Sequence, residues 1–352
     1  MNKKSIRCFI FGHIGKGNIG DDLMAKSLVS MLQNKGIYDI KILSPSLLSL
    51  KNVEYYKETI FSILQAIWNS DVLILNGGNY FHDKTKNPRF LFSPFIKLGG
   101  IFLLGYLLKK KSIMVGQGFG PFKSNWAGNW TKKIVNLTSY VGVRDHYSFE
   151  FLKNNKNVCF ARDSVFAIPA FGKKEQKKST RVGINLVQFG KIYMNNPEID
   201  IEIVKKFNVL LESLPKNYTE IVFFSFNEKI VEKDSEMYKL LKSTYKGNSN
   251  LSLVTYQELN SFCTEFSTIS LFIGMRFHAH VLSILEKIPL ISIPYHDKCL
   301  HLIEDFKIEK QKILIEDLLL GKFRPNIITN SLKVASKPDS LEIINTYLPK
   351  YL

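Results

Sequence analysis

Cysteine is scarce in this 352-residue chain, and its four copies, Cys8, Cys159, Cys263 and Cys299, lie far apart with no C-x-x-C pair. That spacing argues against a disulfide framework and a structural zinc site, and it suits a reducing compartment. Arginine is scarce relative to the charge: of 48 basic residues only seven are arginine, at positions 7, 89, 144, 162, 181, 276 and 324. A formal net charge of +17 ordinarily suggests an acidic partner. Nucleic-acid readers and bidentate phosphate sites favour the planar guanidinium, however, so an excess made of lysine argues against a nucleic-acid-binding module. The opening Met1-Asn2-Lys3-Lys4-Ser5 has no apolar core or cleavage site of a signal peptide, so a cytoplasmic setting is expected.

Long clean apolar runs are also missing. Phe90–Leu108 comes nearest, but Pro94, Lys97 and the Gly99-Gly100 pair interrupt it, and a strand-like run, Ser112–Gly116, follows at once. It reads as a helix of an α/β unit whose basic end, Lys109-Lys110-Lys111, complements the helix dipole and adds attraction to an anionic membrane.

What is present is alternation. Short apolar runs at Ile6–Phe11, Ile40–Leu43, Val72–Leu75, Ile113–Val115, Tyr140–Val143 and Val158–Phe160 read as strands, with helical stretches between them, such as Asp21–Asn34. A polar stretch follows, and the pattern restarts at Arg181–Leu186, Glu220–Phe226, Leu251–Val254, Ile269–Ile273 and Leu290–Ile293. The expected architecture is α/β: two Rossmann-like domains facing a cleft, over 1–172 on the acceptor side and 181–352 on the donor side, joined by a linker at 173–180, with a terminal helix free to pack back.

Ligands of parallel sheets bind beyond the carboxyl ends of the strands. The loop after the first strand holds Gly15, Gly17 and Gly20 in a G-x-G-x-x-G spacing, with Asn18, and Asp21 at the expected helix start. A dinucleotide site also needs an acid after the second strand, and Ser44-Pro45 stands there instead, which argues against a nicotinamide dehydrogenase. Glycine recurs at later strand ends, in Asn76-Gly77-Gly78-Asn79 and Gly116-Gln117-Gly118-Phe119-Gly120, and Arg144 closes the fifth strand, where a neighbouring acid could pair with it. The densest group is Gly274-Met275-Arg276-Phe277-His278-Ala279-His280. It sets Arg276 and His278 at a helix start, where dipole and guanidinium favour an anion. An i, i+2 histidine pair points to opposite sides of a helix, so no metal is expected and one of the two histidines is structural. Tyr295 and Lys298 follow the last strand.

At these residues the chain resembles the polysaccharide pyruvyl transferase family: Gly17-Asn18-Ile19-Gly20-Asp21, Gly77-Gly78, Gly116–Pro121, Val143-Arg144-Asp145 with Ser148, Arg162-Asp163-Ser164, Val182–Asn185, Gly274–His278 and Pro289–Lys298. The resemblance implies an architecture similar to the B-type glycosyltransferases. It also implies transfer of the enolpyruvyl carbons of phosphoenolpyruvate onto two sugar hydroxyls as a ketal, with no cofactor beyond that donor. On this reading Arg276 and Arg144 hold phosphoenolpyruvate, His278 assists proton transfer or phosphate departure, and Asp21 orients or deprotonates the acceptor hydroxyl. Gly17, Asn18, Gly20, Gly77, Gly78, Gln117, Gly118, Tyr295 and Lys298 line the substrates. The acceptor is a sugar, lipid-diphosphate-linked if the enzyme works peripherally at the inner face of the membrane. The competing reaction is glycosyl transfer from a nucleotide sugar.

Overall fold

A computed structural model describes residues 5–83, 94–172, 180–229, 232–323, 327 and 332–348. Residues 173–179 of the expected linker, Phe90–Ser93, Arg89 and Arg324 lie outside them. The chain divides into two compact units: one is Met1–Lys16, Asp21–Ile168 and Pro338–Leu352, the other Gly17–Gly20 and Pro169–Lys337.

The first unit is built on one parallel sheet. Its strands are β1 (Arg7–Phe11), β2 (Asp39–Leu43), β3 (Glu54–Tyr56), β4 (Val72–Leu75), β5 (Gly78–Phe81), β6 (Lys111–Phe119), β7 (Tyr140–Val143) and β8 (Val158–Phe160). They run β3-β2-β1-β4-β6-β7-β8, with β5 also on β6. The order reverses at β1 and β4, where Cys8 pairs with Ile40 on one side and Val72 on the other. Strands buried on both faces need unbroken apolar runs, and Cys8–Phe11 and Val72–Leu75 are buried throughout. Helices α1 (Ile19–Asn34), α2 (Ile60–Trp68), α3 (Pro94–Leu107), α4 (Asn125–Leu137) and α5 (His146–Leu152) connect them. Thr59, Ser124 and Asp145 cap α2, α4 and α5. Ile63, Phe102 and Ile134 of three of these helices close one core with Phe9, Phe11 and Leu75 of the sheet.

Three departures from the sequence reading have local causes. Helix α1 begins at Ile19 rather than Asp21, because the Asn18 side chain accepts from the Gly20 N–H at 3.0 Å and starts the helix earlier. Strand β3 has only three residues, too few to show a period. Strand β5 starts at Gly78, within what reads as a loop, and is held by its pairing with β6.

The second unit repeats the theme with five parallel strands: β9 (Arg181–Asn185), β10 (Glu220–Ser225), β11 (Asn250–Thr255), β12 (Leu271–Gly274) and β13 (Leu290–Ser292), in the order β11-β10-β9-β12-β13. Here the order reverses at β9 and β12, which end together at Asn185 and Gly274. Helices α6 (Phe189–Tyr193), α7 (Glu198–Glu212), α8 (Asp234–Thr244), α9 (Leu259–Phe266), α10 (Phe277–Leu285), α11 (Asp297–Asp305) and α12 (Ile315–Leu319) surround it.

Helix α13 (Ser340–Tyr347) belongs to the first unit. Tyr347 is fully buried: its ring lies where a Cβ on Gly142 would stand, 2.3 Å away, and its hydroxyl donates to the Arg162 carbonyl. Replacing this ring by a methyl should leave a void and an unpaired carbonyl. For Tyr347→Ala we expect a loss of about 3–5 kcal/mol, read by urea denaturation; an unchanged midpoint would show that α13 does not brace the unit.

Candidate active site

In the second unit the residues singled out from sequence gather at the strand reversal. Arg276 closes the turn after β12 and is the N-cap of α10, so its backbone leaves the sheet just where α10's free N–H groups begin. Its N–H donates to Asn185 Oδ1 at 3.2 Å, fixing the turn to the end of β9. Its guanidinium is held by acids. Nε reaches the two oxygens of Asp234 at 3.1 and 3.2 Å, Nη2 reaches Oδ1 at 2.6 Å, and Nη1 faces Glu232 at 3.5 Å. Asp234 is buried and also accepts from Asn185 Nδ2 at 3.0 Å and the Phe226 N–H at 3.1 Å. Burial works to lower the Arg276 pKa, but the Asp234 carboxylate outweighs it, and the guanidinium is held charged well above its ordinary value. Beside it Tyr295, pushed up by burial, stays a phenol, and Tyr193 meets it edge to face at 5.5 Å between ring centres.

One turn on, the two histidines part. His280 is fully buried, with Nε2 on the Gly274 carbonyl at 2.9 Å, and burial drops its pKa to about 4 despite that bond. It is the structural member of the pair. His278 is half-buried in the first turn of α10 and packs on the backbone of Gly20: a Cβ there would stand 1.9 Å from Nδ1. Glycine is needed at position 20 for this approach. The segment around it is fixed to the second unit, since the Ile19 N–H donates to the Phe226 carbonyl at 3.1 Å and the Glu228 N–H donates to the Gly17 carbonyl at 3.0 Å. Gly17, Asn18, Gly20 and His278 therefore form one group, and Lys298 Nζ lies over the Phe277 ring, 5.6 Å from its centre.

In the first unit the predicted residues hold the architecture more than they face an opening. Arg144 is buried and its Nη1 pairs with Asp163 at 3.2 Å, so here too the guanidinium has a carboxylate partner. Asp163 in turn caps the turn at Ser164–Ala167 through the Val165 N–H at 3.0 Å. Gln117 is fully buried and ties strand ends together, donating to the Asn76 carbonyl at 2.8 Å, and Gly118 lies beside Arg144. Asn76 donates to the Asp21 carbonyl at 2.9 Å. Gly77 is pressed between Met24 and the Gly116 carbonyl, and Gly78 lies under the Tyr80 ring. Asp21 is mostly buried in the first turn of α1, while its neighbour Asp22 accepts the Gly15 N–H at 2.6 Å and closes the glycine loop.

Sequence reasoning passed over three features. Asp234 and Asn185 carry no motif of their own, although Asn185 ends the Val182–Asn185 stretch. A pocket of about 200 Å³ in the first unit is lined by His13, Tyr80, Lys16, Glu58 and Lys97 over an apolar floor that includes Phe11. Tyr80 anchors it, accepting the His13 N–H at 3.0 Å and donating to the Gly77 carbonyl at 3.1 Å. Among the described residues no cluster of histidine, cysteine and carboxylate side chains suits a metal ion.

Both sheets reverse strand order beside glycine-led loops. The chain superposes on UDP-GlcNAc 2-epimerase from Methanocaldococcus jannaschii with a TM-score of 0.59, 12% identity and coverage of 97% of this chain and 98% of the other. For the Neisseria meningitidis UDP-GlcNAc 2-epimerase bound to UDP-GlcNAc the values are 0.56, 11%, 97% and 96%, and for S. aureus MnaA with UDP they are 0.60, 10%, 97% and 95%. At such identities the likeness is one of fold. The fold class is thus a pair of parallel α/β sheets of the kind those enzymes use. No curated protein sequence matches the chain significantly. The motifs decide the rest: a family model matches residues 18–297, and the chain belongs to the polysaccharide pyruvyl transferase family, hence to the transferases.

Two outcomes test this geometry. His280 binds a proton at about 6.5 when unfolded but only near 4 when folded, so the unfolded state takes up protons as pH falls between those values and stability drops with it. At pH near 5 the loss should be about 2 kcal/mol relative to neutral pH, and His280→Gln should abolish that share of the slope in urea denaturation. Gly20→Ala should displace His278 and cut turnover by on the order of tenfold or more with the melting temperature nearly kept, whereas Gly100→Ala, which meets nothing within 4 Å, should leave turnover unchanged.

Proposed function

We propose that the protein transfers the enolpyruvyl carbons of phosphoenolpyruvate onto two hydroxyls of one sugar in a cell-surface polysaccharide or its lipid-diphosphate-linked precursor, forming a cyclic ketal. The family match over residues 18–297 carries this reading. A histidine in the first turn of a helix whose N-cap is an arginine held charged supports it chemically.

The reaction balances without a cofactor. A proton adds to the methylene carbon of phosphoenolpyruvate, which becomes a methyl group, and the first sugar oxygen bonds to the adjacent carbon as it gives up its proton. The second hydroxyl then bonds to the same carbon and gives up its proton to the departing phosphate as the carbon–oxygen bond to phosphate breaks, releasing inorganic phosphate. In this reading His278 supplies a proton to the methylene carbon or the departing phosphate, and α10's first N–H groups suit the donor's anionic oxygens. Arg276 keeps Nε and Nη2 on Asp234 and offers Nη1, the arm 3.5 Å from Glu232, to the donor. Arg144, paired with Asp163, is the second guanidinium that this reading assigns to the donor. Asp21 orients the acceptor hydroxyl, with Gly17, Asn18, Gly77, Gly78 and Gly118 as close-approach backbone and Tyr295 and Lys298 as polar lining.

Incubation with isotope-labelled phosphoenolpyruvate and glycan acceptors should transfer label as a pyruvate ketal, and labelled nucleotide sugars should give none. The reverse result would establish glycosyl transfer instead. Arg276→Ala and His278→Ala should each lower kcat/KM by about 10- to 150-fold, one charge-assisted contact made in the transition state. Near-normal turnover in both would remove the assignment of these residues.

A further inference from the structure

We propose that the outer faces of α2 and α3 in the first unit form a docking surface for an anionic lipid bilayer. Helix α2 is apolar nearly all round. Ile63, Ala66 and Ile67 turn inward to the sheet, while Ile60 (80% exposed), Phe61 (76%), Leu64 and Trp68 (69%) are left in water. Positions 60, 61, 64 and 68 fall within about 100° of the helix circumference, so the exposed residues make one stripe. Helix α3 shows the same division, with Leu98, Ile101 and Phe102 buried and Leu103, Tyr106 and Leu107 exposed. The two helix ends are tied together by Lys110, whose Nζ donates to the Trp68 carbonyl at 3.0 Å and the Ser70 carbonyl at 2.7 Å. Seven large apolar side chains thus stand in water on two helices joined at their ends, which water alone does not favour.

Charge identifies the occupant. Helix α2 contains no charged residue and α3 only Lys97, while Lys57, Lys97 and Lys109 stand exposed around them. The nearest acids along the chain from α2 are neutralised, Glu58 by Lys16 at 2.7 Å and Asp71 by Arg7 at 2.8 Å. A rim of lysine repels a second copy of the same surface but attracts anionic headgroups. Tryptophan, tyrosine and phenylalanine between an apolar stripe and lysines are the side chains that settle at a bilayer interface. Among the described residues no helix is long and apolar enough to cross a membrane, so the contact is one of lying on the surface. Lys97 and Glu58 also line the His13–Tyr80 pocket, so docking by this face would bring that pocket to the headgroup layer.

The surface is independent of the reaction, and flotation of the full chain with vesicles separates the two. At low salt the protein should float with vesicles of phosphatidylglycerol and phosphatidylcholine and not with phosphatidylcholine alone. Phe61→Ser/Trp68→Ser should lower the partition coefficient on the order of tenfold, and each of Lys57→Glu and Lys109→Glu by about fivefold or more. Ketal formation on a water-soluble acceptor and the melting temperature should stay unchanged in all of them, since these side chains lie outside the core. Equal flotation of the Phe61→Ser/Trp68→Ser protein would overturn the proposal. So would failure of the unmodified protein to float, and a dimeric mass by light scattering that this double substitution makes monomeric would then assign the stripe to a second copy.

Discussion

A guanidinium taken out of water at the end of a sheet has to meet carboxylate oxygens, and Arg276 meets both oxygens of Asp234 within 3.2 Å. The same carboxylate accepts from Asn185 and from the Phe226 backbone, and Asn185 also receives the backbone N–H of Arg276. One acid therefore joins β9, the end of β10, the start of α8 and the turn into α10. The direction in which α10 leaves the sheet, and with it the place of His278, follows from that closure. The loss of either partner would leave a buried charge unmatched, which is a larger penalty than the net worth of the pair.

The first unit uses the same device on a smaller scale. Arg144 at the end of β7 is neutralised by Asp163, which simultaneously caps the next turn. Asp145, beside it, caps α5 by accepting the Ser148 N–H, and Ser148 Oγ accepts the Phe119 N–H at the end of β6. Much of the polar sequence that marks the family in this half is thus engaged in holding strand ends and helix starts in register. Such groups must be satisfied wherever they are buried, whether or not a ligand is near.

Fold and site differed in how far they could be read from the residues. Val72–Leu75 and Glu220–Ser225 were plain as strands because a sheet buried on both faces requires continuous apolar runs. Strand β5, Gly-Asn-Tyr-Phe, shows no such run and exists through its pairing with β6. Arg144 and Arg276 were legible as informative arginines because arginine is rare here, but their partners lie 19 and 42 residues away and are brought in only by tertiary structure. His278 and His280 could be separated in principle by helical spacing, yet which one is sealed in the core depended on how α10 packs against β12. The exposed stripe on α2 was hidden for the opposite reason: apolar residues on every side of a short helix look alike until the sheet selects the face it covers.

Helix α13 follows the whole of the second unit in the chain, yet its Tyr347 completes the first. During synthesis the amino-terminal sheet emerges early with the surface of Gly142 bare, and it waits while some 170 further residues are made, an order set by chain connectivity alone. The unit made first is therefore finished last. A fragment ending near residue 172 would lack its closing aromatic, so the amino-terminal unit is discontinuous in a way that neither truncation nor domain exchange at the middle of the chain respects.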